Sequence, residues 1–171
     1  MDRSRFAERS LGLLWNLLWN FKPLQRRLSP LRKLPATVGP AEGFTRFLLH
    51  KTQFAASTGR VKPTALEPRL NEKKKRYETS THRTDGLESE RIWTLGYEYV
   101  EDVAANRQIR GRAIGVAAIV TDQNLDWVVN GSPYPRHADL IGWLPGSDKN
   151  ARMMAAIEIA QRMRLELDPR P

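Results

Sequence analysis

Residues 77–104 read YETSTHRTDGLESERIWTLGYEYVEDVA, and this stretch decides the fold class. Its first eight residues are polar and threonine-rich, with Tyr77, Thr79, Thr81 and Arg83 at alternate positions. That period predicts a strand. Asp85-Gly86 then turns the chain. From Glu88 the period changes: Ile92, Leu95 and Tyr99 share one stripe with Trp93 and Gly96 beside it, and Glu88 and Glu90 suit a helix N-terminus. A helix over 88–104 follows.

Working outward, 109–116 reads as a strand with Gly111 and Gly115 as soft points, and 117–121 either extends it or forms a short helix. Residues 125–129 and 138–143 read as strands, with Asn130-Gly131 a strong turn signal between them. Pro145-Gly146-Ser147 turns the chain, Ser147 suits an N-cap, and 149–167 reads as a second helix buried through Met153, Ala156, Ile157, Ala160 and Met163. Upstream, Phe44, Phe47 and Leu48 stand at helical spacing, 61–66 reads as a short edge strand limited by Pro63 and Pro68, and 71–76 as an exposed basic loop. The expected fold is α+β: a small, mainly antiparallel sheet of four to five strands packed by two main helices, with Trp93, Trp127 and Trp143 in the core.

Charge divides the chain. Residues 1–76 carry 17 Lys and Arg against 5 Asp and Glu, residues 77–171 carry 11 against 14, and the net is +9. A basic front half attracts polyanions such as nucleic acid or acidic lipid, or else is a solvated tail. Cysteine is absent, which excludes disulfides, thiolate metal sites and a cysteine nucleophile and suits a reducing, cytoplasmic location.

Residues 11–21, LGLLWNLLWNF, are too short to span a bilayer. With Arg26, Arg27, Arg32 and Lys33 behind them, they read as a short apolar helix that lies on an anionic membrane surface or docks in a protein partner's groove. Pro23, Pro30, Pro35 and Pro40 make 22–43 a linker. The expected organisation is a basic appendage over 1–43 and one α+β domain over 44–171. A start site further downstream would remove the appendage from the native product.

The blocks TGRVKPTALEP (58–68), RYETSTHRTDGL (76–87) with the following IWTLG, and GSPYPRHADLIGW (131–143) resemble an uncharacterised family of small bacterial proteins. The resemblance spans 47–165. It implies a bacterial origin and a shared fold, and brings no catalytic residue with it.

Three histidines are the candidate acid–base groups: His50, His82 and His137. Two begin a His-x-Thr pattern, His50-Lys51-Thr52 and His82-Arg83-Thr84. Such pairs resemble the 2H phosphoesterases, in which two histidines work as general acid and base on a phosphodiester. Here the middle residue is charged instead of apolar, and the motifs stand closer together than in that family. His82, His137 and Asp139 are the catalytic candidates, and a facial metal triad of the same three is a weaker reading. No metal or cofactor is called for, because no nucleotide-binding or zinc motif is present.

Arg83 and Arg136 are candidate anion-binding residues, with Arg110 and Arg112 able to extend them. Lys62, Arg69, Lys73, Lys74, Lys75 and Arg76 are candidate phosphate contacts. Three functions are consistent with the chain. The leading one is a nucleic-acid-binding protein without sequence preference. The second is a phosphodiester- or nucleotide-processing enzyme using His82 and His137. The third is an adaptor docking through residues 11–33. Convergence of two histidines in one cleft would favour the enzyme.

Overall fold

The computed structural model describes residues 34–102, 104–131, 136–145 and 148–170. The expectations for the apolar segment and basic sequel of 11–33 lie outside the described residues.

Among the described residues, nine strands and three α-helices make an α+β fold in which every strand pair is antiparallel. The main sheet holds seven strands, more than the four or five expected. Along it run β7 (Asp126–Val129), β8 (His137–Ile141), β5 (Arg76–Arg83), β1 (Gly43–Leu48), β6 (Gly111–Val116) and β9 (Arg164–Leu167), with β4 (Arg69–Asn71) paired to β5 off this path. The two-residue strands β2 (Phe54–Ala55) and β3 (Arg60–Val61) pair separately.

Two of the extra strands correct the sequence reading. Residues 43–48 form β1, not a helix. Pairing with β6 on one side and β5 on the other puts Phe44 and Leu48 on one face and Phe47 on the opposite one, so a spacing that looks helical serves two cores. The last helix stops at Gln161, and Arg164-Leu165-Glu166-Leu167 alternates as β9 against Gly111–Ile114 of β6. The expected edge strand over 61–66 is mostly a 3-10 turn at Pro63–Ala65, because Pro63 starts a helical turn more readily than it joins a ladder.

Helices α1 (Ser89–Tyr99) and α3 (Lys149–Gln161) are the two expected ones, and α2 (Ala118–Thr121) is a single turn. Asp148 caps α3 by accepting from the Ala151 amide at 3.0 Å, one residue on from the Ser147 expected. One sheet face packs Phe44, Leu48, Ala113 and Leu140 against Ile119 and Val120 of α2 and Ala156, Ile159 and Ala160 of α3. Ile159 is fully buried, and Met153 and Ile157 are only half-buried. The other face packs Phe47 and Ile109 against Trp93 of α1. Trp93 and Trp143 are core residues, whereas Trp127 is half-buried with its ring edge-on to Phe44.

Residues 34–171 form one unit. Its entry is held by Arg83, which is 1% exposed and donates to the Glu42 carboxylate at 2.7 Å and to the carbonyls of Pro35 and Thr37 at 2.6 and 3.1 Å. Ala117 and Ala118 donate to the carbonyls of Glu42 and Pro40. The segment 34–43, read as linker, is therefore part of the domain, and Arg83 is a structural ion-pair partner, not an anion receptor.

Two stability predictions follow from this packing. A chain beginning at Phe44 leaves the Arg83 guanidinium buried without Glu42, which costs about 3–5 kcal/mol. It should unfold at clearly lower denaturant than one beginning at Leu34, and equal midpoints would refute the latch. In α1, a Cβ on Gly96 would lie 2.6 Å from Phe47 Cζ and 2.9 Å from Ile109 Cδ1. Gly96→Ala gains about 1 kcal/mol of helix propensity but overpacks this core by about 1–3 kcal/mol. Its melting temperature should fall.

Candidate active site

The site begins with a break in the sheet. On one edge β5 pairs continuously with β8, from Thr79 opposite Leu140 to His82 opposite His137. Its other edge is divided. β4 takes Arg76, Tyr77 and Glu78, and β1 takes His82 and Arg83. Between them the Ser80 carbonyl has no strand partner on that side. Arg46 of β1 fills the gap: its Nη1 donates to the Ser80 carbonyl at 2.7 Å and its Nε to the Ala65 carbonyl at 3.1 Å. A groove of about 700 Å³ opens there, with Arg46, Phe47, Ser80, His82 and His137 among its lining residues.

Strand period and register then assemble the polar side chains. Ser80 and His82 share one face of β5, and their register partners Asp139 and His137 share the same face of β8. The two imidazoles stand 6.4 Å apart between centroids, nearly perpendicular. His82 meets the Phe47 ring edge-on at 4.8 Å. The Asp139 carboxylate lies beside them, 4% exposed. It accepts from Ser80 Oγ at 3.2 Å and from Asn130 Nδ2 at 3.0 Å, and lies 3.4 Å from His137 Nε2 and 3.8 Å from Lys74 Nζ.

These bonds fix the histidine tautomer. Asn130 gives its amide N–H to Asp139, so its Oδ1 faces His137 Nδ1 at 2.7 Å. Oδ1 only accepts, so Nδ1 carries a proton in both charge states. The titrating atom of His137 is therefore Nε2. Burial holds His82 well below the ordinary imidazole value, and the positive charges of His137 and Arg46 push the same way. Burial also lowers His137. Asp139 opposes that, Lys74 and Arg46 add to it, Glu78 opposes it, and the balance stays below the ordinary value. Both rings therefore favour the neutral form more than a free imidazole does.

Of the other expected site residues, His50 and Arg69 also line the groove, and the rest are dispersed. Arg83 faces away from the groove into its ion pair with Glu42. Arg136 is buried, with φ +68°, and donates to the Asp85 carbonyl at 2.6 Å. Arg112 lies under Trp93 and binds Glu166 and Ser89. The basic run sits in the β4–β5 hairpin, where Lys74 and Arg76 pair with Glu78 and Lys75 with Glu72. Lys62, Arg69 and Lys73 are exposed, and none forms an ion pair among the described residues. His50 precedes a 3-10 turn and not a strand. Only one His-x-Thr motif is therefore on a strand. Among the described residues no three side chains are arranged to hold a metal ion, so the triad reading of His82, His137 and Asp139 is dropped.

Ser80, Asn130 and Arg46 are site residues the sequence reading missed. Ser80 was in reach, because it stands two residues before His82 on the same strand face. Asn130 reads as a turn residue, and only the β7–β8 hairpin brings it to His137. No helix among the described residues is long and apolar enough to cross a membrane. Comparison with family models, curated proteins and solved structures returns no match.

Because the fold holds His82 neutral, the unfolded chain takes up a proton that the folded chain refuses as pH falls below about 6.5. Stability is thus full above that pH and declines below it, by up to about 1.4 kcal/mol per pH unit for this one group. Denaturant unfolding at pH 7.5, 6.5 and 5.5 should show the decline, and His82→Phe should flatten it. An unchanged slope would show that His82 titrates normally in the fold.

Proposed function

We propose that the groove is the active site of a hydrolase acting on a phosphate ester, with a phosphodiester or nucleotide as substrate and His137 as the general base. The observation that carries this reading is the convergence in one groove of His137, whose Nδ1 is held by Asn130, with a second histidine and the backbone-anchored guanidinium of Arg46. Arginine matches phosphate oxygens by geometry and charge. Arg69 and Arg107 also line the groove and are exposed. They draw the anion in.

In the proposed step, water attacks phosphorus on the side facing His137. The new P–O bond forms as the bond to the leaving alcohol breaks. His137 Nε2 takes the proton from the water; the leaving oxygen, on the opposite side of phosphorus, takes its proton from solvent, and the imidazolium then returns its own to solvent. Asp139 stabilises the transient imidazolium, and Asn130 holds the ring. His82 stays neutral as a wall of the site. We also propose that the chain belongs to the bacterial family it resembles and works in the cytoplasm; two of the shared blocks contain β5 and β8, the strands of the site.

Purified protein should hydrolyse a simple diester such as bis(p-nitrophenyl) phosphate or a cyclic nucleotide. His137→Ala should lower kcat/KM by about 10²–10⁴, read at a temperature where the variant, which loses a buried ring bonded to Asn130, is still folded. The acid limb of the pH profile should fall below about 6.5. No turnover across diesters and nucleotides, together with no shift of the His137 ring resonances by inorganic phosphate, would remove the reading.

A second reading has support of its own. Lys62, Arg69 and Lys73 are exposed without ion pairs among the described residues, and sequence-independent nucleic-acid binding uses such cations. Labelled oligonucleotide retained at low salt and lost steeply as salt rises, with no turnover of diesters, would favour this binder over the enzyme.

A further inference from the structure

Of the four cations in the run 73–76, one differs in its surroundings. Lys73 is exposed without an ion pair among the described residues, Lys75 pairs with the exposed Glu72, and Arg76 pairs with Glu78. Lys74 points back over the sheet. Its backbone N–H donates to Asn71 Oδ1 at 3.1 Å, and its ammonium donates to Glu78 Oε1 at 2.9 Å. Asn71 Nδ2 holds the other Glu78 oxygen at 2.8 Å. This bracing puts the ammonium 3.8 Å from Asp139 Oδ2. The opposite oxygen, Oδ1, is the one 3.4 Å from His137 Nε2. Two groups able to carry positive charge thus flank one buried carboxylate, one on each oxygen.

A buried carboxylate without a countercharge draws a proton onto the nearest base, which here is Nε2 of His137. With Lys74 supplying that countercharge, His137 need not become imidazolium. We infer that Lys74 is a positioning residue of the site: by countering the Asp139 charge from the hairpin side, it lessens the pull of that carboxylate for a proton on His137 and leaves Nε2 a proton acceptor. The inference rests on the reading of His137 as general base. Lys74 itself is not among the groove-lining residues, so its action runs through Asp139.

The charged and titratable groups facing His137 are Asp139 on its own strand, Glu78 and His82 on β5, Lys74 on the hairpin and Arg46 on β1, with Asn130 on Nδ1. The test follows the His137 ring proton by NMR across pH in the full-length protein. Lys74→Met should raise its titration midpoint by at least about half a unit. Lys74→Arg should restore it, and Lys73→Met should leave it in place. Lys74→Gln, which also removes the ammonium, should raise the midpoint as Lys74→Met does. In turnover, Lys74→Met should lower kcat/KM at pH 6.5 and recover towards pH 8.5 with little change in KM.

An unmoved midpoint in Lys74→Met would overturn the inference, as would equal shifts in Lys74→Met and Lys73→Met. Should Lys74→Met fold poorly, Lys74→Gln decides, and a midpoint left in place there is the contrary result. The NMR titration needs no substrate. Absence of phosphate-ester hydrolysis therefore sinks the enzyme reading alone, whereas an unmoved midpoint in an active enzyme sinks only the role of Lys74.

Discussion

The divided edge of β5 is the constraint on which the site depends. A strand edge buried against protein must satisfy its carbonyls and amides. β5 does so with two different strands, leaving a gap between them that neither covers. β4 arrives by a hairpin and reaches only Glu78, while β1 arrives from the other end and reaches only His82. Arg46 closes the gap with a guanidinium instead of a backbone amide. An amide would have continued the sheet. A guanidinium leaves a charged, groove-facing fork where the sheet would otherwise be sealed. The groove, the cation beside it and the place of Ser80, His82 and His137 in its lining all follow from that one substitution of a side chain for a strand.

The two faces of the sheet then divide the work. The face under α2 and α3 carries the larger apolar cluster, and its buried threonines, Thr79 and Thr81, turn their hydroxyls to the carbonyls of Leu66 and Ala138. The opposite face carries a smaller cluster around Phe47 and Trp93 and, beside it, the polar network. A buried network costs stability when any member lacks a partner. Here Asp139 is met by Ser80, Asn130, Lys74 and His137, so the network is held in one arrangement. Its rigidity is what gives His137 a single titrating atom.

How much of this could be read from the residues follows from range. The strand 77–84, the turn at Asp85-Gly86 and the helices starting near 88 and 149 were legible because local period and local turn chemistry specify them. β1 was not: Phe44, Phe47 and Leu48 have a helical spacing, and only burial on both sheet faces explains it. β9 was not, because the apolar pattern of α3 runs on without a proline or glycine to mark its end, and pairing with β6 decides the boundary. For the site, His82 and His137 were legible as candidates by type. Their union depends on the β5–β8 register, which is a contact across 55 residues of chain, and no local signal encodes that. Arg83 and Arg136 were misjudged for a related reason. Arginine is usually exposed, and a sequence does not show that Glu42 or the Asp85 carbonyl will bury these two.

The charge asymmetry of the chain also means something different once the hairpin is folded. A run of four cations suggests a phosphate-binding patch, yet Glu72 and Glu78 take three of them. Exposed pairs such as Lys75 with Glu72 contribute little to stability, so neutralisation alone is a poor reason for them. Glu78 is different. Burial would raise its carboxyl, but hydrogen bonds from Asn71, Lys74 and Arg76 outweigh that and hold it below the ordinary value. It stays an anion, and an anion there fixes where the Lys74 ammonium sits. The hairpin is thus better understood as a clamp that delivers one chosen charge to Asp139 than as a patch that offers four to solvent. A nucleic acid or phosphate ester approaching this surface meets Lys62, Arg69, Lys73 and Arg107 as available cations, and meets Lys74 only through its effect on Asp139 and His137.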